Sequence, residues 1–532
     1  MHSRRAAKSW KLLAYVLERN LDALRAARIT PRQFLVFLRR QVAFASLFKS
    51  SKACRVGERV FMDPFAPYFP SAYFDRLLVN NCAEEFPLKP NYAQISITNR
   101  CPCDCIHCHA KDTTDGEVPA EKILDVIDDL VALDFPTIFF VGGEPLSRFD
   151  DLVRFVEAAR GRMDARIFTS GVGGTRERFA RLRDAGLSGA CVSVDHWREQ
   201  DHDAKRAHVG AYQAALAAIG HCRDLGLYVS VVCCTTHAMV ERGDVFRVVD
   251  LVESLGANSV QINEIRPAGK AARRGDPDLF LTEDDERILV DYYERQNAGP
   301  RPIAIVLPWH HEAPTRFGCM ATAAQKVYVD GKGEVQPCEL LRVSFGNVKE
   351  RRFSEIWQEL RARCGHPVRE CILHPLVEQL RAAPALPLPP SRTRELWPAL
   401  CALEAPDIYK KLRLRNERFS AFYDLGLKEA EDFRVLRNHW LPRALGLEYL
   451  ALGTRLFARG DPPELPRHEF LHLAQFRRFG AGYVLRHYLY HLARNLLRTR
   501  SLGRAFREVP FEVEARAFAA GQLSSGGAER GA

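Results

Sequence analysis

Three cysteines stand at Cys101, Cys105 and Cys108, in the order C-x3-C-x2-C. Thiolates so spaced converge from one loop. A four-iron cluster held by three of them keeps one iron without a protein ligand, and such an iron can chelate and reduce a small molecule. Cys103 lies inside the run but out of register. A fourth thiolate would close the open iron, so Cys103 reads as a bystander. Four more cysteines, Cys319, Cys338, Cys364 and Cys371, are enough for one further iron–sulfur cluster; a zinc site or free thiols are the alternatives. Near the other end, His468-Glu469-Phe470-Leu471-His472 places two imidazoles four residues apart. On a helix they share one face, as a zinc ion needs, and Glu469 is placed to activate water.

These residues need elements to aim them. The first cysteines follow a short apolar run, Ile95 to Thr98, and five more such runs follow. Thr137 to Val141 leads into Gly142-Gly143-Glu144, and Arg166 to Thr169 into Ser170. Ala190 to Val194 leads into Asp195, Leu227 to Cys234 into Thr235, and Ser259 to Ile265 into Arg266. Between them lie helical patterns, such as Pro119 to Leu133 with apolar residues at Ile123, Val126, Ile127 and Leu130. Six βα units with polar strand exits predict parallel strands with ligands at their carboxyl ends. Further on, Asp330-Gly331 between alternating apolar residues predicts a hairpin with Cys338 on its second strand, then a helix around Phe353 to Leu360.

The cysteine run, followed one βα unit later by Gly142-Gly143-Glu144, resembles the radical S-adenosylmethionine (SAM) enzymes. The resemblance implies a partial (βα)6 barrel over roughly residues 91–310. It also implies reductive cleavage of SAM to a 5′-deoxyadenosyl radical that abstracts hydrogen. Gly142, Gly143 and Glu144 then receive the methionine amino group, and Ser170, Ser193, Asp195 and Arg206 line the SAM site, with loop polars or helix caps as the plain alternative. Residues 311–383, with Gly333 to Cys338 and Phe345-Gly346-Asn347-Val348, resemble the SPASM/Twitch extension, which implies an auxiliary cluster on Cys319, Cys338, Cys364 and Cys371. The segment Phe511 to Ala515 is similar to the glutamate helix of gluzincin zinc peptidases. That makes Glu512 the third zinc ligand beside His468 and His472, with Glu514 in reserve. Arg516 stands where the family often has an acid.

The 532 residues, 47% hydrophobic, suffice for three or four domains. The expected fold class is α/β: the partial barrel, a small hairpin-and-helix iron–sulfur domain, and a mainly helical zincin-like domain. The expected boundaries put a basic helical region at 1–90, a proline-rich linker at 384–399, the HExxH domain at 400–520 and a disordered tail at 521–532. Fifteen cysteines without a secretory segment point to metal sites in a reducing compartment, the cytoplasm. Met1 to Arg59 carry 14 Lys and Arg against three acids, on an amphipathic pattern suited to an acidic peptide, an anionic membrane surface, or packing as a helical cap. No nucleic-acid motif accompanies the charge. The resemblance to SPASM/Twitch radical SAM enzymes, with a peptidase-like domain in the same chain, implies a ribosomally made peptide as substrate and an electron donor such as flavodoxin or ferredoxin. A small cofactor or lipid precursor with an inactive zincin-like domain is the second reading, and a non-catalytic peptide-binding scaffold the third.

Overall fold

Strand β3 (Tyr92–Ser96), which delivers the chain to the cysteines, is buried at all five positions. In the computed structural model it lies inside a nine-stranded sheet. The structure describes residues 51–80, 89–110, 116–313, 316–323, 325–363, 367–383, 385–401, 434–444, 448–452, 455–460 and 481–519, with a few isolated positions before 36 and at 469 and 472.

The six expected strands are all present: β3, β4 (Thr137–Val141), β5 (Asp164–Thr169), β6 (Gly189–Ser193), β7 (Tyr228–Thr235) and β8 (Ser259–Glu264). Neighbours pair in parallel, and their near-continuous burial is what helices on a parallel sheet impose. Helix α1 (Ala120–Ala132) buries the predicted face, Ile123, Val126, Ile127 and Leu130. The sheet goes further than six strands. A helix over Glu283–Ala298, opened by a Thr282/Asp285 capping box, leads to a seventh, β9 (Ala304–Val306). The auxiliary hairpin is not a separate sheet: β10 (Lys326–Val329) pairs in parallel with β3, and β11 (Val335–Gln336) in antiparallel with β10. An unfinished barrel leaves unpaired N–H and C=O groups along β3, and β10 satisfies them.

The opposite end of the barrel is closed by residues expected to be helical. Cys54–Val56 and Arg59–Phe61 form an antiparallel hairpin, β1 and β2. Arg166, fully buried on β5, donates to the carbonyls of Pro64 and Ala66 and pairs with Asp164 at 2.6 Å. Its guanidinium stands 5.0 Å from the Phe61 ring centroid. The N-terminal basic stretch before residue 51 lies almost wholly outside the described residues.

Helix α2 (Phe353–Arg363) is held on the barrel by Asp129, which accepts from Arg352 at 2.6 Å and from the Ser354 amide at 2.9 Å. Trp357 lies 5.0 Å from Phe135. The proline-rich stretch is not a linker throughout, because Pro390–Cys401 form helix α3. Its Trp397, 1% exposed, packs edge-on against Phe345 at 5.0 Å. Proline suits the first turn of a helix, where its missing N–H costs nothing.

Beyond residue 433 comes a small three-stranded sheet. Tyr449–Leu452 (β13) and Arg455–Ala458 (β14) pair in antiparallel, and Arg434–Leu436 (β12) joins β14 in parallel. Helices α4 (Ala481–Thr499), α5 (Leu502–Arg507) and α6 (Pro510–Ala519) follow. The expected tail at 521–532 lies outside the described residues. Among the described residues no helix is long and apolar enough to cross a membrane.

Removing the carboxylate under Arg166 leaves a buried charge unpaired, so Asp164→Ala should destabilise the chain by about 3–5 kcal/mol in denaturant unfolding. A loss below about 1 kcal/mol would show that water reaches the pair as it does an exposed one.

Candidate functional site

The loop from Ile97 to Ala110 has no regular structure of its own, and three neighbours hold it. On one side it continues the β3–β4 pairing past the strand ends. The amides of Ile97, Gly143 and Glu144 donate to Val141, Thr98 and Arg100 at 2.9, 2.6 and 2.8 Å. A Cβ on Gly142 would stand 2.5 Å from the Thr98 carbonyl oxygen, and one on Gly143 2.3 Å from that of Arg100. The two glycines are therefore required by the chain's own backbone. On the second side, Asp104 and Ile106 donate to the carbonyls of Arg206 and Lys205 at 2.9 and 3.0 Å, at the end of helix Glu199–Arg206. On the third, the Lys270 amide donates to Cys108 at 2.9 Å, and a Cβ on Gly269, φ +53°, would stand 2.5 Å from that carbonyl oxygen.

Held this way, the thiols gather. Cys101, Cys103, Cys105 and Cys108 pack in one cluster with Ala211 and Val172. Cys103, 2% exposed, is hydrogen-bonded to both Cys101 and Cys105. Those bonds push the Cys103 thiol up and hold its two neighbours down. Cys105 comes down to about 6, with Arg206 as a further cause. The Arg206 guanidinium has Nη1 3.6 Å from the Cys105 sulfur and Nε 2.6 Å from Asp195. Burial alone would push the Asp195 carboxyl up; Arg206, with His107 and Lys205, outweighs it and holds it well below the usual carboxylate range. Thiolates are the form that ligates metal, so these donors fit an iron–sulfur cluster.

Glu144 is 1% exposed, and its lone pairs are taken within the chain. One oxygen accepts from Thr169 Oγ1 at 2.6 Å and the Leu146 amide at 3.1 Å. The other accepts from the Ser170 amide and hydroxyl at 2.7 and 2.6 Å. Burial pushes its carboxyl up, and these donors oppose the shift. The side chain ties the exit of β4 to that of β5. Ser193 lies half-buried at the end of β6.

Several contributors escape a sequence reading. Arg148 donates to the carbonyls of Ile97 and Val118 at 2.8 Å each, and Lys270 pairs with Asp104. His107, half-hidden in the cysteine run, has Nε2 3.8 Å from Asp195, and burial brings it down to about 4. Only His107 carried a signal, its place inside the motif.

In the second cysteine group, an isolated bridge joins Cys319 to Val368, and the Cys319 and Cys371 thiols are hydrogen-bonded. That bond, aided by Arg266, brings Cys371 down to about 6. Cys338 does not lie on the second hairpin strand as expected. β11 ends at Gln336, because Pro337 has no N–H with which to continue the ladder. Burial pushes the Cys338 thiol up, with Lys326 acting against it, and Lys326 Nζ is 2.8 Å from Glu312. Cys364 lies outside the described residues.

Of the HExxH set, His468 lies outside the described residues, Glu469 is half-buried and His472 buried. His472 Nε2 lies 3.3 Å from Glu512 Oε1, so the structure brings these two together. Tyr488 donates to the same oxygen, and Arg516 lies 3.4 Å from the other. Nothing is described of the Glu514 side chain.

Comparison with known proteins bears on this arrangement. Residues 95–252 match the radical SAM superfamily, and residues 319–378 match the SPASM iron-sulfur cluster-binding domain. The AdoMet-dependent heme synthase of Methanosarcina barkeri is 29% identical over 318 residues, 52% of this chain and 88% of that protein. The PqqA peptide cyclase of Methylocella silvestris is 26% identical over 291 residues, 51% of this chain and 74% of that one. The solved Streptococcus suis SuiB bound to S-adenosylmethionine aligns at a TM-score of 0.40 and 13% identity, over 51% of this chain and 65% of that chain, a likeness too slight to carry an argument. Neither family match reaches the HExxH segment. The chain carries a radical SAM domain followed by a SPASM domain, laid on one continuous sheet.

Proposed function

We propose that Cys101, Cys105 and Cys108 hold a four-iron cluster whose open iron takes SAM, and that the chain uses it to abstract hydrogen from a ribosomally made peptide. The observation that carries this reading is the clamped loop, with Cys105 kept low by Cys103 and Arg206. Such a cluster supplies the electron that cleaves SAM to methionine and a 5′-deoxyadenosyl radical. The chain's own residues do the rest. Cys103 keeps its proton while its neighbours give theirs up. Arg206 compensates charge on Cys105 and is itself fixed by Asp195. The Gly142–Glu144 edge, locked between the loop and β5, offers the amino group of SAM a rigid seat. Ser170, Ser193 and Asp195 line the exits of the next two strands.

In the same reading Cys319, Cys338, Cys364 and Cys371 hold one auxiliary cluster, beside the cations Lys326 and Arg266. A flavodoxin or ferredoxin supplies electrons, in the cytoplasm. The peptide cyclase among the relatives supports a peptide substrate. A specific observation favours a second reading, a small cofactor precursor, because heme synthases are also among the relatives. At the C-terminal end, the meeting of His472 with Glu512 supports a zinc site completed by His468. A zinc ion there would polarise a water or a peptide carbonyl, and Glu469 would take the proton of the water.

Cys101→Ala, Cys105→Ala and Cys108→Ala should each abolish 5′-deoxyadenosine formation from SAM and dithionite, whereas Cys103→Ala should keep it. Loss in Cys103→Ala with retention in Cys101→Ala would shift the ligand register. Anaerobically reconstituted protein should hold about eight irons per chain, falling to about four when Cys319 and Cys338 are both changed to alanine. An unmodified protein with about four, unaltered by those changes, would remove the auxiliary cluster.

For the zinc site, Glu512→Ala should lose bound zinc by elemental analysis, because two imidazoles alone hold it poorly. Glu469→Ala should keep the metal and lose any peptidase activity, and Glu514→Ala should keep both. Zinc absent from the unmodified chain would make the histidine spacing a coincidence.

A further inference from the structure

Among the described buried cations nearest the two cysteine groups, Arg342 stands apart. Arg206 is spent on Asp195 and Cys105, Lys326 on Glu312 beside Cys338, and Arg266 on Glu264 beside Cys371. Arg342 is 3% exposed and makes no ion pair among the described residues. Its Nη1 donates to the carbonyl of His109 at 3.0 Å, while among the described residues its Nε and Nη2 have no hydrogen-bond partner. Asp330, near enough to feel its charge, has both oxygens occupied by the amides of Lys332 and Glu334 and the side chain of Gln336, each at 2.9 Å. Glu339 faces Lys326 and the Cys338 thiol.

A guanidinium does not lose its proton at physiological pH, so it cannot escape burial by neutralising, and an unpaired buried charge is strongly unfavourable. The two idle nitrogens are the edge of the fork that meets both oxygens of a carboxylate at once. The backbone holds that edge in place: the Arg342 carbonyl accepts from Leu388 at 2.9 Å, and Val343 bridges to the same residue. The location suits a substrate. His109 directly follows Cys108, Arg342 lies four residues past Cys338, and the His109 ring stands edge-on to Tyr328 of β10 at 6.4 Å. Arg342 thus sits where the cysteine loop meets the auxiliary segment.

We propose that Arg342 is a substrate-binding residue that takes a carboxylate of the substrate through Nε and Nη2. This rests on the radical SAM reading above and narrows its substrate to an acid. The shared chemistry, a carboxylate, is met by an acidic peptide side chain and by a propionate on a tetrapyrrole.

The test uses the full reconstituted chain, as unmodified protein, Arg342→Met and Arg342→Lys. The probes are a glutamate-containing hexapeptide and coproporphyrin, each beside its fully amidated form, and binding is followed by calorimetry. One acid should bind the unmodified protein about tenfold or more tighter than its amide. Which acid does so identifies the source. Arg342→Met should erase that preference, Arg342→Lys should restore part of it, and Arg342→Met without probe should melt no lower than the unmodified protein. Four results would overturn the proposal: no preference for either acid in the unmodified protein, a preference that survives in Arg342→Met, a melting point lowered by several degrees in that variant, or SAM affinity falling with the substitution, which would assign the arginine to SAM's own carboxylate. Absence of SAM cleavage by the unmodified protein would remove the radical reading and leave the binding result standing.

Discussion

The site depends on a clamp of backbone hydrogen bonds around a loop that cannot hold itself. Ile97 to Ala110 is irregular, so its N–H and C=O groups have no helix or ladder to join. They are met by the β4 exit, the end of the helix at Lys205 and Arg206, and the Lys270 amide. Each contact lies within a few residues of a cysteine, so thiol positions follow from backbone positions. The glycines at 142, 143 and 269 are the places where a side chain would force these partners apart. Thiols on an irregular loop keep fixed positions only with this kind of support from the scaffold around them.

Charge is the second constraint. A buried thiol gives up its proton only with compensation nearby, and each cysteine group has cations beside it: Arg206 at Cys105, Lys326 near Cys338, Arg266 near Cys371. Those cations are in turn fixed by carboxylates, Asp195, Glu312 and Glu264. The arrangement costs desolvation and gains geometry, since a paired guanidinium cannot wander.

How much of this was legible follows from distance along the chain. The C-x3-C-x2-C spacing and the Gly142–Glu144 turn are local, as are strands β3 to β8, whose buried apolar runs announce themselves. Asp195 and Arg206 were legible only as strand-exit polars; that they pair with each other and aim at Cys105 depends on how β6 and the following helix pack. The β10–β3 pairing was hidden because β10 has four residues and its partner is the first strand of the barrel, with all the other barrel strands between them in sequence. Helix α3 was hidden because Pro389-Pro390 reads as a break, although proline also opens helices. Arg342 had no signal at all, since a single arginine in a loop says nothing until its neighbours are known.

That late pairing also ties two cysteine groups so far apart in sequence to the same pair of strands. β3 ends at the Cys101–Cys108 loop, and β10, hydrogen-bonded alongside it, turns through β11 toward Cys338. Both groups are thus placed from one edge of one sheet, in register, and a shift of either strand moves both. Lys326 opens β10 and pairs with Glu312, so the seam carries a buried ion pair at the strand that faces β3. The two segments are also joined directly, because the Arg342 side chain, four residues past Cys338, donates to the backbone carbonyl of His109, the residue after Cys108.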